Sequence, residues 1–82
     1  MQTEAIKQLI EDGIPGAQVT VTGDGSHFEA IVVSQSFQGK NMVQQHQLVY
    51  GTLGGRMESG EIHALALKTF IPEEWDNQSR SG

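Results

Sequence analysis

Apolar positions recur along this chain with two periods, and the switches between them mark out its elements. In TEAIKQLIEDG, Ile6, Leu9 and Ile10 stand at i, i+3 and i+4, the stripe of an amphipathic helix. Thr3 suits the N-cap, Glu4 the first turn and Gly13 the position after the last turn, while Pro15 prevents continuation. The period then falls to two. Ala17, Val19 and Val21 alternate with Gln18, Thr20 and Thr22, which predicts a strand with one wet face. The glycines of GDG supply turn chemistry, and a second strand follows over about Phe28 to Ser34. Its run Ala30-Ile31-Val32-Val33 is more apolar than the first strand, which predicts a more central place in the sheet.

QSFQGKN reads as a loop. A helix begins at about Met42, with Met42, Val43, His46, Val49, Tyr50 and Leu53 on one side. The glycine-rich GTLGGRMESGE supports no long helix, though a short helical turn fits Leu53 to Met57. In IHALALKTF, Leu65 and Leu67 alternate with Ala64 and Ala66, a third strand. Pro72, Glu73 and Glu74 start a last short helix that docks Trp75, and residues 77–82 read as a disordered polar tail. The order is helix, two strands, one or two helices, strand, helix. The first two strands form an antiparallel hairpin, and a helical crossover makes the third strand parallel to its neighbour. The expected class is α+β: one domain over residues 1–76, a three-stranded mixed sheet with helices on one face.

Charge and composition narrow the chemistry. The net charge is −5, and only Lys7, Lys40, Arg56, Lys68 and Arg80 are cationic. Nucleic-acid affinity rests largely on phosphate neutralisation, so this balance disfavours it. With no cysteine in the chain, any bound metal must use histidine, carboxylate or a partner's ligands. No cysteine nucleophile and no G-x-S-x-G elbow are present, and Ser26 and His27, adjacent in an extended segment, point apart; no enzymatic reading emerges. No long apolar run spans a membrane, and MQTEAIKQL lacks the form of a signal peptide, so the expected location is the cytoplasm.

Three histidines remain. His46 lies within the apolar stripe of its helix and reads as a packing residue. His63 stands at the mouth of the third strand, where it is either a half-buried ring bonded to a backbone carbonyl or a ligand. His27 opens the second strand, as a turn residue or a ligand; if the second and third strands are parallel neighbours, His27 and His63 converge at one end of the sheet.

The pieces GDGSHF, VVSQSFQGKNMVQQHQLVYGTL and IHALALKTFIPEEW, in that order, resemble the BolA family, and GDGSHF is most similar to its IbaG-like branch. The resemblance covers about Ile6 to Trp75. It implies a class II KH-like fold in αββααβα order. It also implies a [2Fe-2S] cluster shared with a monothiol glutaredoxin and its glutathione, in iron–sulfur assembly, trafficking or iron homeostasis. The histidine of the HAL motif, His63 here, is the implied ligand. The second ligand normally lies in the loop before the second strand, where this chain offers His27 or, less suitably for soft iron–sulfur chemistry, Asp24. The alternative the family also implies is a KH-like transcriptional regulator, reading nucleic acid with Lys40, Asn41, Gln44 and Gln45. The resemblance leaves monomer and homodimer both open.

Overall fold

The computed structural model describes residues 2–80, with backbone alone at 79 and 80. Helix α1 spans Thr3–Gly13, strand β1 Gln18–Gly23, strand β2 His27–Val33, helix α2 Met42–Thr52, helix α3 Arg56–Ser59, strand β3 Ala64–Phe70 and helix α4 Pro72–Arg80. A single 3₁₀ turn, Gln35–Phe37, interrupts the segment expected to be an irregular loop. The order and the α+β class are those the sequence implies.

The sheet runs β1-β2-β3. β1 pairs antiparallel with β2, Val19 opposite Val32, and β2 pairs parallel with β3, Phe28 opposite Leu65. Alternation sends Val19, Phe28, Ala30, Val32 and Leu65 to one face. There they meet Ile6, Ile10 and Ile14 at α1 and Val49 and Leu53 at α2, with Phe37 and Ile62 closing the cluster. The opposite face is more polar and carries Thr20, Thr22, His27 and Glu29, all exposed. On it Lys68 Nζ lies 3.7 Å from Glu29 Oε1, a solvent-screened pair worth little to stability.

Local chemistry departs from expectation at both ends of α1. Gln2, not Thr3, takes the N-cap position, and no side chain caps it. Gly13 is the last helical residue, and the first glycine with positive φ is Gly16 at 83°. Gly13 has a different reason to be small: a Cβ built there would overlap the Thr52 side chain at the end of α2. Gly13→Ala is therefore expected to destabilise the fold despite the better helix propensity of alanine. Overpacking costs about 1–3 kcal/mol, against about 0.5–1 kcal/mol gained in the helix. Denaturant unfolding of the two proteins checks the sign; a more stable variant would show that Thr52 yields freely.

The last helix also exceeds its expected length. It continues to Arg80, through residues assigned to a disordered tail; residues 81 and 82 lie outside the described residues. Pro72 provides the first turn, the Ile71 N–H donates to Glu74 Oε1 at 3.0 Å, and Trp75 packs on Phe70 with centroids 5.3 Å apart. Once these contacts hold the start, exposed Asn77 and Gln78 continue it in water. Their polarity signals exposure rather than disorder.

Candidate functional site

The parallel pairing of β2 with β3 determines what the end of the sheet presents. His27 is the first residue of β2 and sits opposite Ala64, the first residue of β3. His63 immediately precedes Ala64, so the two histidine backbones enter the sheet side by side although 36 positions separate them in the chain. Both side chains are exposed. Exposure removes the reading of His63 as a half-buried strand-end ring.

The faces of the two residues differ. His27 alternates with buried Phe28, which places it on the face turned away from α1 and α2. Carried one residue back from β3, the same alternation puts His63 on the side of Leu65. The backbones converge while their rings start from opposite faces of the sheet end. Among the described residues no three histidine or acidic side chains gather as a metal site. At this end of the sheet the chain offers two separately placed imidazoles, His27 and His63.

Each is held by local structure. Before β3, the Ile62 N–H donates to Arg56 O at 3.2 Å and the Ile62 side chain is buried, which fixes the residue preceding His63 to the core. At the other strand, Asp24 Oδ1 accepts from the N–H groups of Ser26 and His27, both at 3.0 Å. Asp24 thus orders the turn that delivers His27, and its carboxylate already has partners, which weakens it further as a ligand. The His27 N–H, then that of Ser26, hold the Asp24 carboxyl below the usual carboxylate range.

A group whose folded pKa is depressed contributes stability above its unfolded value and loses it as pH falls through the folded one. Asp24→Ala is therefore expected to loosen the turn at neutral pH. The stability gap from the natural protein should narrow as pH drops below the ordinary carboxylate range. Unfolding titrations at neutral and acid pH measure this gap; one that is constant with pH would mean the two bonds are idle.

The nucleic-acid candidates sit at the start of α2, and the structure gives most of them other partners. The Asn41 side chain accepts from the Gln44 N–H at 2.9 Å, and Gln44 Oε1 accepts from the Asn41 N–H at 3.0 Å, a reciprocal cap. Gln45 Nε2 donates to Lys40 O at 2.8 Å and Phe37 O at 3.3 Å, while Thr69 Oγ1 donates to Gln45 Oε1 at 2.6 Å. Lys40 is exposed, and Lys68 lies on the opposite sheet face beside Glu29. Lys68 therefore does not extend a positive face from the start of α2.

His46 is half-buried, and its stripe is only partly core. Val49 and Leu53 are fully buried, whereas Met42, Val43 and Tyr50 are 69%, 64% and 37% exposed. The apolar side of α2 is wider than its contact with the sheet. A recess bordered by Gln2, Thr3, Gly23, Gly25 and Phe28 contributes no ionisable side chain of its own.

The chain is similar to known proteins over most of its length. Residues 6–74 match the BolA family, described as BolA-like protein. The acid stress protein IbaG of Escherichia coli strain K12 is 36% identical over 75 residues, covering 92% of this chain and 89% of that protein. The DNA-binding transcriptional regulator BolA of Haemophilus influenzae is 42% identical over 59 residues, covering 72% of this chain and 56% of that one. Among solved structures, a BolA protein homologue from Coxiella burnetii superposes with a TM-score of 0.83 at 45% identity, covering 93% of this chain and 97% of its own.

Proposed function

The chain belongs to the BolA family, and from that premise we propose that it is a non-enzymatic adaptor sharing a [2Fe-2S] cluster with a monothiol glutaredoxin in the cytoplasm. Its task is iron–sulfur assembly, trafficking or iron homeostasis. The observation that carries this reading is His63: exposed, anchored through Ile62, and level with the entry of β2. Such clusters take four ligands, mostly thiolate. With no cysteine and two imidazoles on separate faces, this chain supplies a minority of a donor set and no sulfur. The donor chemistry fits a shared cluster and not one held alone.

His63 supplies the main imidazole and His27 a secondary one, while the partner brings its active-site thiolate and glutathione. An imidazole ligand lowers the anionic charge around the cluster, which raises its potential relative to an all-thiolate site. Nucleic-acid recognition is supported less well, because Asn41 and Gln44 cap the start of α2 and Gln45 ties that helix to Lys40, Phe37 and Thr69. Among the described residues no helix is long and apolar enough to cross a membrane.

The test is anaerobic reconstitution with iron, sulfide, glutathione and a monothiol glutaredoxin, followed by size exclusion and visible circular dichroism. A heterocomplex whose spectrum differs from that of the glutaredoxin reconstituted alone is the expected result. Two separate proteins and an unchanged spectrum would reject the reading.

A further inference from the structure

Two aspartates in this chain precede a glycine, Asp12 before Gly13 and Asp24 before Gly25, and no asparagine does. Such links are chemically labile, because glycine has no side chain to shield its nitrogen from the neighbouring carboxyl carbon. The glycine nitrogen attacks Cγ of the aspartate, and the carboxyl hydroxyl leaves with the amide hydrogen as water. A five-membered succinimide results, and water then opens it. Opening at Cγ restores aspartate. Opening at the main-chain carbonyl carbon breaks the old peptide C–N bond and leaves isoaspartate, with the chain running through Cβ and Cγ. The water lost is the water regained, so no further reactant is needed.

In sequence the two links are alike, and the fold separates them. Gly13 is the last residue of α1, so its N–H belongs to the helical ladder. Ile14 extends that hold, because its N–H donates to Ile10 O at 2.9 Å and its side chain is buried. Gly13 itself lies against Thr52, and the Asp12 carboxylate is turned back along the helix, accepting from Gln8 Nε2 at 2.8 Å. Freeing the Gly13 nitrogen therefore means lifting a core residue.

Gly25 has none of this. It stands in the turn between β1 and β2, with φ at 101° and open space where a Cβ would be. Among the described residues its N–H has no hydrogen-bond partner. Restraint falls on the other reactant instead. Asp24 Oδ1 accepts from the Ser26 and His27 N–H groups, so closure onto Gly25 waits on local opening of the turn. That opening moves exposed residues only, from Gly23 to His27, and so costs little.

We propose that Asp24-Gly25 is the link at which this chain isomerises, that α1 spares Asp12-Gly13, and that the product releases the turn delivering His27. Isoaspartate carries its carboxylate directly on Cα, one carbon shorter in reach, while one extra carbon enters the main chain. The hairpin has no slack for either change. The Asp24 N–H donates to His27 O at 3.2 Å, and Gly23 lies so close to His27 O and Phe28 that a Cβ does not fit there. The bonds to the Ser26 and His27 N–H groups are lost, and the β1–β2 ladder frays from its turn. This modification is independent of the shared-cluster reading and needs no partner.

The experiment ages the native protein and the guanidinium-unfolded chain in heavy-oxygen water at neutral pH. Label and isoaspartate are then mapped in peptide digests by mass spectrometry with electron-transfer fragmentation. In the unfolded chain the two links are expected to react at comparable rates, since both aspartates precede glycine. In the native protein Asp24 is expected to lead Asp12 by about ten-fold or more. Asp24→Glu, whose closure needs a six-membered ring, should take up no label at this position. Isomerised protein, separated by chromatography, is expected to exchange its Ser26 and His27 amides about ten-fold faster while α1 and α2 stay protected. Equal accumulation at both links of the native protein, or accumulation at Asp12 alone, would overturn the assignment. So would a native protein with no label at Asp24, whether or not the unfolded chain reacts there. Unchanged exchange at Ser26 and His27 in the isomerised protein would sever the modification from the placement of His27.

Discussion

His63→Ala is expected to abolish the spectrum of the mixed cluster while leaving the protein folded. The side chain is exposed, and it precedes β3 rather than lying within it, so little packing is lost. The backbone at this point is fixed by its neighbours: Ile62 is fully buried on one side, and Ala64 pairs with His27 on the other. A substitution at such a place typically shifts stability by no more than about 0.5 kcal/mol. If the shared-cluster reading proposed above holds, the functional effect is far larger, because removing the His63 ring leaves no equivalent donor at that position. Rigid anchoring is what makes the ring useful, since a ligand already in place loses little freedom on binding. His27→Ala should alter the spectrum less or leave a labile cluster, because its ring starts from the other face of the sheet. Reconstitution of the natural protein and both variants with one glutaredoxin separates the cases. Identical absorption, dichroism and cluster lifetime for His63→Ala would reduce His63 to a surface residue.

The same two histidines show how far the sequence reads. That both would enter neighbouring strands at one end followed from the hairpin, the helical crossover and the parallel pairing that a crossover implies, and the register bears it out. Which face each ring takes depends on a single residue of phase. His63 lies one position outside β3, and pattern locates strand ends only to within a few residues. The stripe of α2 was legible as apolar but not as divided. Periodicity reports which residues share a side, not how much of that side a neighbouring sheet covers, so the exposure of Met42, Val43 and Tyr50 had no signal in the chain. Gly13 shows a further limit. A glycine near a helix end has two uses, a positive φ or a close approach, and only the position of Thr52 decides between them.

Phe37→Ala is expected to have the largest effect on stability of any change considered. Phe37 sits in QSFQGKN, where glycine, serine and glutamine outnumber a lone aromatic and indicate a loop. In the fold it is fully buried, at the end of a 3₁₀ turn that Ser34 caps by accepting from the Ser36 N–H at 3.0 Å. Ser34 is itself buried, and its N–H donates to Phe70 O at 3.0 Å, which ties the turn to the end of β3. The Phe37 carbonyl accepts from the Lys40 N–H and from Gln45 Nε2, so the same residue seats the start of α2. Truncating a buried phenylalanine to alanine costs about 3–5 kcal/mol, a large share of the about 5–15 kcal/mol that holds a domain together. The variant is expected to unfold at a much lower denaturant concentration. Phe37→Leu, which leaves a smaller cavity, should lose less and remain folded at room temperature. Because α2 starts from this anchor, amide exchange in Phe37→Leu should rise first at Met42 to Gln45 and reach the β1–β2 pairing last. Uniform acceleration across the chain would mean that Phe37 serves only the global core. Protection unchanged at the start of α2 would show that the cap of Asn41 and Gln44 seats the helix without it.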